Sequence, residues 1–218
     1  MTRPTLPPFR RSSPLDALLG AADEALRTLS GAMSAARPSP ASDRAAPESG
    51  EERRLSAGLM RVNHTGEVCA QALYSGQAIV AREARVREAL QTAAGEERDH
   101  LAWCRERLVE LGEGPSLLDP LWYAGSFAWG MASGLAGDRW SLAFLVETEA
   151  QVERHLAGHL ERLPGSDRAS REIVDRMRED EARHGASGRA LGAADLPPFV
   201  KSAMRAAARV MTRTAFRI

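Results

Sequence analysis

The chain of 218 residues has no net charge to offer, with 29 basic against 29 acidic residues, so its overall balance gives no drive toward nucleic acid. It has two cysteines, Cys69 and Cys104, too few for a disulfide scaffold, and both read as bundle interior without a nucleophile role. It lacks a continuous apolar run at its start, where Pro4, Pro7, Pro8, Arg10 and Arg11 fall. No signal peptide is therefore expected, and a reducing, cytoplasmic compartment is. It has no glycine-rich dinucleotide fold, so a nicotinamide donor, if used, would have to dock without one. A membrane span is also missing, because the uncharged stretch from Pro120 to Gly137 is marginal against the roughly 20 apolar residues a bilayer requires. Aromatics are few, yet 44% hydrophobic residues at this length suffice for one domain with a real core.

What the chain does have is one unit written twice. Glu67 is followed by Glu97 and His100, and Glu149 is followed by Glu181 and His184. Residues three apart on an α-helix differ by about 300° and roughly 4.5 Å of rise, so each Glu-x-x-His pair shares one face about a turn apart. The 30 and 32 residues separating each lone Glu from its pair allow half a long helix, a turn and half of the returning helix. Four carboxylates and two imidazoles at one depth are the set with which a four-helix bundle holds two iron or manganese ions. A single Glu-x-x-His arises easily by chance in a chain rich in Arg and Glu; two copies with matched spacing do not. Zinc fits poorly, having no redox chemistry, and magnesium gains little from two imidazoles.

The element pattern is all-α. Residues 1–50 read as an N-terminal extension, with a possible short helix carrying Leu15, Leu18, Leu19, Ala22, Leu26 and Leu29, and a flexible linker from Ala35 to Gly50. Residues 51–218 read as the catalytic unit. Its first helix is expected from Glu51 to about Ala84, with Gly66 inside it implying close packing or backbone space near the metals. The second runs from about Val86 to Leu111 and stops at Gly112 and Gly114. The apolar segment from Leu117 to Gly137 then crosses between the two halves, either as a core helix or as a surface that dips into one leaflet and admits an apolar substrate. Asp138 reads as the cap of the third bundle helix, closed by Pro164 and Gly165, and the fourth starts after Ser170 and fades toward Gly192. Pro197 and Pro198 open a further C-terminal helix whose basic residues suit either anionic lipid or plain solvation. Two helix pairs joined by one long crossover fit the ferritin-like arrangement.

Other polar residues belong to the same helices. His64, one turn before Glu67, reads as pointing toward the cage or donating to one of its carboxylates. His155 is about 240° around the helix from Glu149 and is no direct co-ligand; with His159 it resembles half of a zinc site lacking its third ligand. Glu147 reads as facing outward, Glu153 as an ordering partner, and Glu96 as a competitor of Glu97. Two redox metals held by carboxylates deliver two electrons to dioxygen together. The apolar segment beside such a site suits a greasy organic substrate, whereas a ferritin-like iron-storage or peroxide-detoxifying protein would need no such surface.

The strings Leu59-Met60-Arg61-Val62-Asn63-His64-Thr65-Gly66-Glu67, Glu96-Glu97-Arg98-Asp99-His100-Leu101, Glu149 with His155, and Asp180-Glu181-Ala182-Arg183-His184-Gly185 resemble the demethoxyubiquinone hydroxylase family of ubiquinone biosynthesis. The closing Val210-Met211-Thr212-Arg213-Thr214-Ala215 is similar to the tail of bacterial members, and the likeness covers about Glu51 to Ile218. The resemblance implies a ferritin-like fold and two iron ions held by Glu67, Glu97, His100, Glu149, Glu181 and His184, with Glu97 and Glu181 bridging in part. It implies a role for His155 just outside the ligands, although the aromatic residue often placed beside it is Leu156 here. The implied reaction uses dioxygen to hydroxylate the remaining unsubstituted ring carbon of a polyprenylated methoxy-benzoquinol. Its electrons come from an added donor or from the quinol itself. The implied setting is the cytoplasmic face of the bacterial inner membrane, peripherally attached, with other ubiquinone-biosynthesis proteins as possible partners.

Overall fold

A computed structural model describes residues 14–42, 44 and 47–218. Arg10, Arg11 and part of the expected linker lie outside the described residues, as do the side chains of Leu15 and Leu18. The described residues are all-helical, in the order α1 Pro14–Ser30, α2 Gly50–Val80, α3 Ala84–Glu110, α4 Asp119–Leu135, α5 Asp138–Arg162, α6 Arg168–Ala190 and α7 Pro198–Ala215. Helices α2, α3, α5 and α6 form a ferritin-like four-helix bundle, with α2 paired to α3 and α5 paired to α6. Helix α4 is the crossover between the pairs, and α7 is the additional C-terminal helix, lying on α2 and α5.

Helix α2, about 46 Å long at 1.5 Å per residue, is the axis of the molecule and is buried on nearly every side from Ser56 to Thr65. Ser49 caps it by accepting from the amide of Glu52 at 3.1 Å. It stops at Val80, four residues short of the expected end. The amides of Arg82 and Glu83 there donate to the Asp138 carboxylate at 3.1 and 2.7 Å. Asp138 therefore caps the α2–α3 turn and does not cap its own helix, which Gly137 opens at φ 117°. Helix α6 starts at Arg168, earlier than expected, because Asp167 accepts from the amide of Ser170 at 3.0 Å. Asp167 also receives Arg107 Nη2 at 2.8 Å in a fully buried pair that ties the end of α3 to the start of α6.

The crossover lies closer to α2 than a helix with ordinary side chains allows. A Cβ on Gly130 would strike the carbonyl of Leu73, and one on Gly76 would strike the carbonyl of Phe127, so glycine on both helices brings the backbones together. The other face of α4 is uncovered: Leu121 is 65% and Trp129 50% exposed. Of the two readings of this segment, the core helix therefore fails on its outer side. Helix α1 also packs differently from its apolar stripe. Ala25 and Leu29 meet Val68, Ala72, Leu101 and Tyr123, while Leu19 and Leu26 face away. The described part of the stretch read as a linker lies against the bundle, where Ser42 donates to Glu172 through its amide and hydroxyl, at 2.6 and 2.8 Å.

Candidate metal centre

Six side chains from four helices converge in the bundle centre: Glu67 from α2, Glu97 and His100 from α3, Glu149 from α5, and Glu181 and His184 from α6. They form two groups of metal-ligand geometry, Glu67, Glu97, His100 and Glu181, and Glu97, Glu149, Glu181 and His184. Glu97 and Glu181 belong to both. Nδ1 of His100 stands 2.9 Å from Glu97, 3.4 Å from Glu181 and 3.9 Å from Glu67. Nδ1 of His184 stands 3.1 Å from Glu97 and 3.6 Å from both Glu149 and Glu181. The ring centroids are 6.5 Å apart.

Four carboxylates in a dry interior repel one another, and the metal-free cage relieves this by sharing protons. Burial, and then the charges of Glu97 and Glu181, push Glu67 well above the usual carboxylate range; burial and the Glu181 charge do the same to Glu149. Burial presses Glu97 upward too, but His100 and His184 outweigh it and hold it low. In Glu181 burial and the Glu97 charge are outweighed by hydrogen bonds with Glu149, His100 and His184. Burial alone would lower both histidines, yet the surrounding acids raise them. Oε1 of Glu97, Oε1 of Glu181 and Nδ1 of His184 are buried without an aligned hydrogen-bond partner, as expected of atoms shaped to meet a cation. Hard oxygens with two imidazoles match a pair of iron or manganese ions.

Each imidazole is gripped from behind by an acid on the opposite helix. Nε2 of His100 lies 3.1 Å from Asp180, and Nε2 of His184 lies 3.1 Å from Glu96. A carboxylate there fixes ring orientation and tautomer and raises the basicity of the coordinating nitrogen. Glu96, read as a rival of Glu97, is thus the partner of His184, and Asp180 was missed. The available signal was the acid directly before each Glu-x-x-His. Tyr74, also missed, donates its hydroxyl to Glu149 from α2.

His64 is buried one turn from Glu67, but its Nδ1 lies 3.1 Å from Asp119 at the start of α4, and it belongs to neither group. His155 and His159 lie against one another with ring centroids 3.9 Å apart and ring planes tilted by 58°, and neither belongs to either group. Burial, then the Arg162 charge, pushes His155 down to about 4; burial, then His155, pushes His159 down to about 2. Glu153 is exposed. Glu147 does not face solvent as expected: it is buried beneath α7, 3.8 Å from Lys201 and 4.0 Å from Arg205.

Two cavities lie side by side along α2, one of them walled in part by Glu67. One of about 360 Å³ opens between α2, α4, α5 and α7, with a mainly apolar wall that includes Leu73, Trp122, Trp129, Val152 and Met204. The other, of about 340 Å³, includes Glu67 and His155 in its wall. Gly66, Gln151, Val152 and Met211 line both. No atom lies near a Cβ built on Gly66, so its missing side chain leaves open space and serves no close packing. Cys104 is buried, whereas Cys69 is partly exposed and lines the apolar cavity; burial pushes its thiol up to about 12.

Residues 54–215 match the family described as ubiquinone biosynthesis protein COQ7. The chain is 59% identical over 209 residues to a 3-demethoxyubiquinol 3-hydroxylase of Bordetella parapertussis, covering 95% of this chain and 94% of that protein. Similar enzymes of Cupriavidus taiwanensis and Ralstonia pickettii are 58% and 54% identical, each covering 94% of this chain and 100% of the relative.

Proposed function

The chain belongs to the COQ7 family of ubiquinone biosynthesis proteins, and from that membership we propose that it is a di-iron monooxygenase that hydroxylates the ring of a polyprenylated 3-demethoxyubiquinol with dioxygen. The observation that carries this reading is the apolar cavity that shares Gly66 in its wall with the cavity walled by Glu67. A storage protein would lead water and iron to its centre; this chain leads an apolar space there.

Glu67, Glu97, His100 and Glu181 would hold one ion, Glu97, Glu149, Glu181 and His184 the other, with Glu97 and Glu181 shared. Two iron ions, when bound, supply the two-electron reduction of dioxygen and the transfer of one oxygen atom to the ring. The protein's own share is positional. Asp180 and Glu96 set the imidazoles, Tyr74 sets Glu149, and the apolar wall of Trp122, Val152 and Met204 takes the ring and the start of the tail while excluding water. His155, in the wall beside Glu67 and held neutral by burial, is suited to hold or pass a proton near the ring; His64, one turn from Glu67, would act by supporting the helix that carries that ligand, anchored there to Asp119. The electrons come from an added donor or from the quinol.

Residues 51–218 are the catalytic unit in this reading and residues 1–50 an extension. No helix among the described residues is long and apolar enough to cross a membrane. The exposed Leu121 and Trp129 of α4 and Phe199 of α7 suit peripheral attachment at the cytoplasmic face of the bacterial inner membrane, where the quinol tail resides and other ubiquinone-biosynthesis proteins would be met.

Anaerobic loading with ferrous iron tests the centre: two irons per chain are expected in the native protein and fewer in Glu97→Ala. Turnover of a demethoxyquinol with dioxygen tests the substrate. A chain that consumes oxygen and leaves the quinol unchanged would be an iron-storage or peroxide-detoxifying protein instead.

A further inference from the structure

Arg37 comes from the stretch that the sequence presents as a linker, yet it reaches the back of the metal centre. Its Nε donates to Asp99 at 2.5 Å and its Nη1 to Asp180 at 2.8 Å. The amide of Ala36 donates to Asp99 at 2.6 Å, Trp103 Nε1 donates to the carbonyl of Arg37 at 3.3 Å, and the guanidinium lies 5.0 Å from the Trp103 ring centroid. Asp99 and Asp180 are both almost fully buried. A planar guanidinium can serve two such carboxylates at once in a fixed geometry; a lysine ammonium cannot.

The decisive detail is which oxygen Arg37 takes. Oδ1 of Asp180 is held by Arg176 at 3.1 Å and Arg183 at 2.6 Å, both on its own helix. Oδ2 is the atom 3.1 Å from Nε2 of His100, and the same atom receives Arg37. Without Arg37 the carboxylate is drawn toward Arg176 and Arg183, and its hold on the His100 ring loosens. The His184 end is built differently. Glu96 is held there by Arg183, from the same helix as His184, and among the described residues the N-terminal segment gives it no hydrogen bond or ion pair.

We infer that Arg37 is a positioning residue of the metal centre: by fixing Oδ2 of Asp180 from outside the bundle, it orients His100 and makes the N-terminal extension part of one of the two iron sites. This rests on the two-iron reading above and assigns the extension a task on one side of the pair.

Full-length R37A and R37K are titrated anaerobically with ferrous iron, with Mössbauer spectra of the loaded chains and thermal unfolding of the metal-free chains. In both variants one of the two ions should bind roughly ten- to a hundredfold more weakly, the usual effect of removing such an outer contact. The spectrum of that ion should change and that of its neighbour should not. Should R37A fail to fold, R37K carries the test, since it keeps a positive charge between the two acids. An R37K chain that binds both ions with native affinity and spectrum overturns the inference. So does an equal weakening of both ions alongside a lower unfolding temperature, which would mark Arg37 as a simple anchor. A native chain that binds no iron would instead remove the underlying two-iron reading.

Discussion

Tyr74 of α2 donates its hydroxyl to Oε1 of Glu149 on α5, across the bundle and inside one of the two ligand groups. The ring is fully buried, so Tyr74→Phe keeps the packing and removes only the donor. Glu149 then loses the contact that sets its rotamer. The ion on the His184 side should bind about tenfold more weakly, with little change at the other, as an anaerobic iron titration would reveal.

Metal loading should expel protons. In the metal-free cage burial and neighbouring acids hold Glu67 and Glu149 above the usual carboxylate range, and the surrounding acids hold His100 and His184 above the usual imidazole range, so all four grip protons more tightly than free side chains do. Two divalent ions compete with those protons, so loading should release protons from both ligand groups. Affinity for the ions should therefore fall as pH is lowered, about tenfold per pH unit for each proton released. Calorimetry in buffers of different ionisation heat counts them.

The metal-free fold should be acid-sensitive through His159. Burial holds this imidazole down to about 2, against about 6.5 in an unfolded chain. A folded value below the unfolded one means that the unfolded state takes up the proton first. Stability is therefore intact above about pH 6.5 and drains away as pH falls from there, by up to about 1.4 kcal/mol per unit for this residue. His155, held down to about 4, adds in the same direction. Unfolding of His159→Gln compared with the native chain should show the shallower slope.

Gly66 lies in the wall of both cavities, with no atom in the space a side chain there would take. Gly66→Leu should bind two irons as the native chain does and lose most demethoxyquinol turnover. Gly66→Ala should raise helix stability by up to about 1 kcal/mol. Iron counting, turnover and thermal unfolding separate these effects.

Arg107→Ala should be the most damaging change away from the centre. It leaves Asp167 buried without its charge partner and weakens the joint between α3 and α6, at a cost of about 3–5 kcal/mol. Urea unfolding measures it.

The sequence by itself determined the helices and the six convergent side chains, because Glu-x-x-His is a relation inside one turn and the 30- and 32-residue gaps are set by helix length. It also marked the apolar segment and its glycines. Tertiary structure alone decided which backbone each glycine admits, with Gly76 and Gly130 closing α2 on α4 while Gly66 leaves space. It turned Asp138 to the neighbouring turn, put Glu147 under α7, and brought Arg37 to Asp180 across 143 positions of chain. Periodicity reports contacts that repeat along one helix. A hydrogen bond between elements depends on how those elements pack, and no local spacing encodes it.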